Sequence, residues 1–454
     1  MKNYEMLPTK KNLIETLYND SIDRNKDIVY FYNILQDQES ASAISIDGRW
    51  GSGKTFFVRQ TKMVINALNP SSTTDEEIKE KVIDRLPFPK SNGEKENYNV
   101  AVYYDAWEND NDTEPVLSLI YEITKQLSID FSLLDVSISK MLGAIIEAIS
   151  GHNVNVINET LTSGNFFAKF KEKKDIEQKI KDFFTCLLEK RGKRLIIFID
   201  ELDRCKPTFA VHLLEQIKHY IYDDRITFVF SVNLEQLQHT IKHYYGEGFD
   251  SCRYLDRFFD LRISMPPANM EKFYSEIGLG SIYYVDIVTR RIINMYNFGL
   301  REITRFYSQL KVAVYEVTHY SEKNNTTFYV PEDFKIILIY IVPLLIGLKI
   351  VDISKYDNFI SGRDIEPLKE LIDTDEDNNL LENMLSRDET FEKNDEKKLV
   401  TKEEVIKRFY DAVFVNKYNG SNYSTVLGKY EFSKETKKFA LSAANMMSQF
   451  AELS

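Results

Sequence analysis

Apolar residues in the first forty positions fall at helical spacing, with Leu13, Ile14 and Leu17 followed by Ile28, Phe31, Ile34 and Leu35, which predicts two helices. The period then changes. Ala43 to Ile46 is a short apolar run that predicts a strand, and it leads through a glycine-rich stretch into a helical pattern from Phe56 to Leu68. Residues 69–99 are rich in Pro, Ser, Asp, Glu and Lys and read as a surface excursion. Further strands are predicted at Val100 to Tyr104, Arg194 to Ile199, Ile226 to Val232 and Asp260 to Met265. The Leu-Ile-Ile-Phe-Ile run of 195–199 is apolar throughout, as a strand covered on both faces must be. Val116 to Leu127 has a helical period, and so does the series Ile176, Ile180, Phe183, Phe184, Leu187; residues 131–164 read as an insertion with one short apolar helix, Met141 to Ile149.

Five parallel-strand candidates separated by helical patterns predict an α/β fold, a three-layer α/β/α sandwich around a five-stranded parallel sheet. From Met270 onward no strand pattern stands out. Ile282 to Met295, Leu300 to Val317 and Glu332 to Ile350 are helical in period, and the tail from Asp352 is helical with acidic loops. The expected organisation is a helical lead (1–38), a core (39–270) carrying a helical insertion at about 116–190, an all-α lid (271–351) and an α-helical C-terminal region (352–454).

Composition narrows the partners. The 454 residues are 43% hydrophobic, enough for a sizeable core, and the formal charge of −12 argues against a chain built to grip a phosphate backbone non-specifically. Nucleic acid is left open only through a local basic face. Cys186, Cys205 and Cys252 lie far apart, with neither a disulfide framework nor a zinc spacing. No apolar stretch follows a basic lead at the N-terminus, so the expected compartment is the cytoplasm.

The candidate chemistry sits where the first strand ends. Gly48, Arg49, Trp50, Gly51, Ser52, Gly53, Lys54 and Thr55 fit the Walker A pattern completely, with Phe56 opening the helix behind them. Glycines are needed because backbone N–H groups must converge on the oxygens of a triphosphate that passes too close for any Cβ. Lys54 would supply a point charge to the β- and γ-phosphates, and Thr55 a hydroxyl ligand for Mg2+. At the end of the third strand, Asp200 is the expected second magnesium ligand, because a carboxylate there is costly unless a cation lies beside it. Glu201 follows, placed to orient and deprotonate water for attack on the γ-phosphate of ATP.

Five polar positions have two readings each. Asn233, ending the fourth strand, either touches the γ-phosphate or caps a helix. Arg253 and Arg257, just before the fifth strand, are either arginine fingers reaching a neighbour's nucleotide or surface ion-pair partners. Arg301 and Arg305 share one face of a lid helix, where they either sense the nucleotide or are simply solvated.

These residues resemble the KAP family of P-loop NTPases within the wider AAA+/STAND class. The resemblance is carried by Gly48 to Thr55 with its Trp50, by Tyr-Tyr-Asp-Ala-Trp-Glu at 103–108 with Glu114-Pro115, and by Ile-Asp-Glu-Leu-Asp-Arg-Cys-Lys-Pro at 199–207 with Leu-Glu-Gln-Ile-Lys at 214–218. It covers roughly residues 25 to 310. It implies ATP hydrolysis, self-assembly into a homo-oligomer and, in bacteria, a role in phage exclusion. No nuclease, protease or deaminase constellation is present, so a separately encoded effector protein is expected. Asp105, Trp107, Asp203 and Arg204 are motif positions, with packing expected for Trp107 and an ion pair between Asp203 and Arg204. Many members carry membrane helices between the two Walker motifs. Met141 to Ile149 is too short for that and contains Glu147, and the apolar run Ile336 to Val351, with Pro343 and Lys349, predicts a buried helix pair in place of a membrane span. The Asp373, Asp375, Asp377 cluster lacks the Gly and Glu of a calcium loop and reads as a solvated acidic loop.

Overall fold

A computed structural model describes residues 7–72, 74–86, 98–127, 166–220, 223–315, 331–373, 379–392, 396–418 and 423–445. They form two compact units, Leu7–Phe273 and the chain from Tyr274 onward. The predicted helix Met141 to Ile149, Asp375 and Asp377 lie outside the described residues.

The first unit is built on five parallel strands, β1 (Ser42–Asp47), β2 (Val100–Asp105), β3 (Leu195–Asp200), β4 (Ile226–Val232) and β5 (Leu261–Ser264), in the order β2-β3-β4-β1-β5. Successive β3 residues bury opposite faces. Ile197 and Ile199 join one core with Val102, Tyr104, Phe228, Phe230 and helices Pro115–Gln126 and Pro207–Tyr220. Ile196 and Phe198 join the other with Ile44, Ile46, Tyr103 and helices Asn25–Gln36 and Lys54–Leu68. That alternation makes the three layers.

The helix Glu76–Arg85 lies in the stretch expected to be irregular. Its signal was short but present: Ile78, Val82 and Leu86 recur every four residues and are buried, Glu76 and Glu77 occupy the first turn, and Arg85 the last.

The second unit is mainly helical, with helices Tyr284–Met295, Leu300–Leu310, Val342–Val351, Ile353–Ile360, Lys402–Tyr410 and Lys434–Ala444. It also holds strand pairs where none was expected. Ser424–Leu427 and Tyr430–Ser433 form an antiparallel hairpin, and Glu389–Thr390 pairs with Lys398–Leu399. The hairpin turns at Gly428, whose φ of +54° is a left-handed conformation, and a Cβ there would meet the Asn383 carbonyl oxygen at 2.1 Å. Tyr430 and Phe432 alternate inward, a period of two too brief to stand out in the sequence.

The apolar run is continuous from Glu332 to Val351 and not a helix pair. A π-turn at Ile337–Ile341 precedes Pro343, and such a widened turn accommodates the missing N–H and the ring without ending the helix. By length and composition this helix could cross a membrane, yet 67% of its most apolar window is buried in the protein.

Candidate nucleotide-binding site

Parallel register brings the chemistry to one edge. Asp47 pairs with Val232 and Ser264, and Asp200 pairs with Asp105 and Ser231, so the glycine loop, Glu201 and Asn233 all leave the carboxyl ends of neighbouring strands. β4 lies between the strand that carries the loop and the strand that carries the acids.

Gly48 is packed so closely that a Cβ would meet the Met265 Cβ and the Ser52 Oγ at 2.9 Å. Gly51 and Gly53 have φ of 78° and 89°, and Gly53 caps the helix that starts at Lys54, with Thr55 and Phe56 in its first turn. The Lys54 ammonium is buried and donates to the carbonyl oxygens of Gly48, at 2.5 Å, and Arg49, at 3.2 Å. Burial lowers its pKa, against the opposing pull of Asp203, Asp200 and Glu201.

Asp200 is 1% exposed. Burial raises its pKa, partly offset by hydroxyl donors that include Thr55 and Tyr103, whose Oη lies 3.0 Å from Oδ2. A buried carboxylate satisfied by neutral hydroxyls has the acceptor capacity and the missing positive charge that Mg2+ would supply. Among the described residues no cluster of three or more His, Cys, Asp and Glu could hold a metal ion by itself. Thr55 and Asp200 therefore fit magnesium only together with phosphate and water ligands, the ion's usual habit beside nucleotides.

Glu201 adopts φ 61°, ψ 22°, a left-handed conformation for a non-glycine residue, held by its N–H donating to the Ser231 carbonyl oxygen at 3.3 Å and to Asp200 Oδ1 at 3.1 Å. Burial, reinforced by the Asp200 charge, pushes its carboxyl up to about 7 against the opposing Arg204. Its Oε2 pairs with the Arg204 guanidinium. That guanidinium also lies 5.4 Å from the Trp50 ring and 5.6 Å from the Trp107 ring, and the Trp50 Nε1–H donates to Asp203 Oδ2 at 2.7 Å. The ion pair expected between Asp203 and Arg204 is thus replaced by an ion pair of Arg204 with Glu201 and a hydrogen bond from the Trp50 indole to Asp203. Trp107, expected to pack, is 54% exposed.

A family model described as the KAP family P-loop domain matches residues 24–280, more than half of the chain. The chain belongs to the KAP family. A search of curated proteins finds no significant match. Among solved structures, the chain is similar to the Aeropyrum pernix ORC2 protein in its ADPNP-ADP complexes, at 9% identity, TM-score 0.31 and 95% coverage of both chains. It is also similar to C. elegans PCH-2, at 12% identity and TM-score 0.24, over 79% of this chain and 70% of that one.

The remaining candidates in this KAP protein divide. Asn233 caps helix Leu234–Tyr245, its Oδ1 accepting from the N–H groups of Glu235 and Gln236 at 3.1 and 3.3 Å. Arg253 and Arg257 are exposed, and Arg257 lines a cavity with Ala41, Ser42 and Ala43 at the amino-terminal end of β1. It is therefore at the sheet edge opposite the glycine loop and does not join the loop of its own chain. Arg301 and Arg305 are exposed on one face of helix Leu300–Leu310, in the second unit.

One residue of the site carries no motif. Arg24 is 4% exposed and donates from Nη1 to the Ser52 carbonyl oxygen at 2.9 Å and from Nη2 to the Pro266 carbonyl oxygen at 2.6 Å. It ties the glycine loop to the chain leaving β5, and its burial pushes the guanidinium down to about 10. Asp20 and Asp23, both at positive φ, frame its turn and hold Lys272 at 3.4 and 2.9 Å. Bonds from a side chain to two distant carbonyls leave no local spacing to read.

Proposed function

We propose that this KAP NTPase binds Mg-ATP on the Gly48–Thr55 loop and hydrolyses it with Glu201 as the base, and that turnover drives or switches the assembly of a homo-oligomer. The observation that carries the reading is the Asp200–Glu201 junction. One carboxylate is buried among hydroxyls, and the next is poised with a raised pKa at the same sheet edge as a complete phosphate-binding loop. Thr55 and Asp200 would hold Mg2+, which neutralises charge on the phosphates. Lys54 would bind the γ-phosphate, and Asn233, its carbonyl committed to the helix cap, would keep its amide N–H groups for the phosphate or the water.

Arg257 lies at the edge opposite its own glycine loop, so an arginine-finger role would have to act on a neighbouring chain's nucleotide, which would make assembly part of the mechanism. ATP turnover per chain is then expected to rise with protein concentration, and Arg257→Ala to abolish the rise while ATP binding is retained. Turnover per chain that stays constant over a hundredfold concentration range, with oligomer forming, would refute a role for Arg257 in trans.

A second reading, a nucleotide-dependent scaffold with little turnover that recruits a separate effector, is favoured by one observation. Arg204 pairs with the carboxylate that must accept the proton, so hydrolysis waits until that pair opens. A role in bacterial phage exclusion rests on the family resemblance alone.

A further inference from the structure

Away from the glycine loop, a cavity of about 680 Å3 lies between helix Lys54–Leu68, the start of helix Lys10–Asn19 and the outer edge of β2. That is within the size range of small-ligand sites and large enough for a nucleotide-sized molecule. Its charged lining is lopsided. Lys10, Arg59, Lys62 and Arg191 face it, with Asp75 the one carboxylate among the described residues of the lining. Asp75 is itself engaged at the rim, 3.7 Å from Lys10.

Arg59 and Lys62, three residues apart, project from one side of the helix that follows the glycine loop. Neither has a carboxylate at ion-pair distance among the described residues. The Arg59 Nε is buried without a hydrogen-bond partner, while its Nη1 donates to the Pro8 carbonyl oxygen at 3.2 Å. The Lys62 ammonium donates to Gln126 Oε1 at 2.8 Å, and burial beside the Arg59 charge pushes it down to about 8. Two half-buried cations side by side, with the Arg59 Nε unspent and with Glu122, the carboxylate that acts on Lys62, itself paired with Lys125, are costly until an anion arrives.

The site also reaches the chemistry. Arg59 sits 4.1 Å over the ring of Tyr103, the residue whose hydroxyl donates to Asp200. Gln126, which holds Lys62, is fixed in turn by the Tyr103 backbone: its Oε1 accepts from the N–H at 3.0 Å and its Nε2 donates to the carbonyl oxygen at 2.5 Å.

We infer that this cavity is a second anion site, separate from the glycine loop, which takes a phosphorylated small molecule on Arg59 and Lys62, with Lys10 and Arg191 at its rim. A guanidinium with unused donors beside an ammonium is the pairing that suits phosphate oxygens.

The test uses inorganic pyrophosphate as the probe, titrated calorimetrically in magnesium-free buffer into the full chain saturated with ADP, so that the glycine loop is already filled. The expected result is one equivalent of binding, unchanged in Lys54→Gln and weakened at least about tenfold in Arg59→Gln and in Lys62→Gln, since each good charge-assisted contact is worth roughly a factor of ten or more. Should either variant fail to fold by circular dichroism, Lys10→Gln and Arg191→Gln at the rim provide the second measurement, with a weakening of about two- to fivefold expected for charges at the rim. No binding to the ADP-saturated chain, or binding indifferent to all four substitutions, overturns the proposal. Loss of pyrophosphate binding in Lys54→Gln overturns it too, by assigning the probe to the glycine loop. If ADP itself fails to bind, the proposed function falls, and pyrophosphate bound through Arg59 and Lys62 still stands as a separate result.

Discussion

Glu201→Gln is expected to lower kcat for ATP hydrolysis by about 10²- to 10⁴-fold, the usual contribution of a positioned general base, while Mg-ATP still binds. The amide keeps the size of the carboxylate but cannot take a proton from water. It also removes the charge that holds Arg204, so a persisting ion pair cannot account for the loss of activity. Phosphate release from the purified full chain, with ATP affinity measured in parallel, separates the roles. A fall in affinity with kcat intact would make Glu201 a binding residue and not the base.

Asp200→Asn is expected to lower kcat/KM for Mg-ATP by about 100-fold or more, because the magnesium ligand next to the phosphates is lost and such a cation stabilises the transition state by several kcal/mol. Its effect on stability runs the other way. The Asp200 carboxyl has its pKa raised by burial, so the folded state holds its proton more tightly than the unfolded chain does. Stability then falls as pH rises from the unfolded pKa through the folded one, and at neutral pH the charge is a burden on the fold. A neutral isostere that still accepts from Tyr103 Oη should leave the melting temperature of the nucleotide-free protein unchanged or raise it. A large drop in melting temperature would mean that the charge is satisfied within the fold and that no magnesium is needed to explain it.

Much of the first unit was legible because its signals are local. A glycine loop between strand and helix, and an apolar strand ending in two acids, specify both their element types and their chemistry within a dozen residues. Position in the sheet is not local. Arg257 reads as an active-site candidate from its place just before β5, yet the start of a parallel strand is the edge opposite a loop that follows one, and only the pairing of β5 with β1 makes this plain. Arg24 is silent for a related reason, since its partners are carbonyl oxygens 28 and 242 residues away. The motif residues Trp50, Asp203 and Arg204 could be recognised but not assigned, because their contacts cross between two loops. In the second unit, four-residue strands and a helix that passes through Pro343 by way of a π-turn depend on packing, which overrides weak periodicity.

The central claim is that the Gly48–Thr55 loop binds Mg-ATP. Calorimetric titration of Mg-ATP into the wild-type full chain and into Lys54→Ala tests it most directly. One site per chain is predicted for wild type, with affinity at least about 30-fold weaker in the variant, since losing one partner of a buried charge pair costs roughly 2 to 5 kcal/mol. Absence of binding to the wild type, or equal affinity in a folded Lys54→Ala protein, would contradict it.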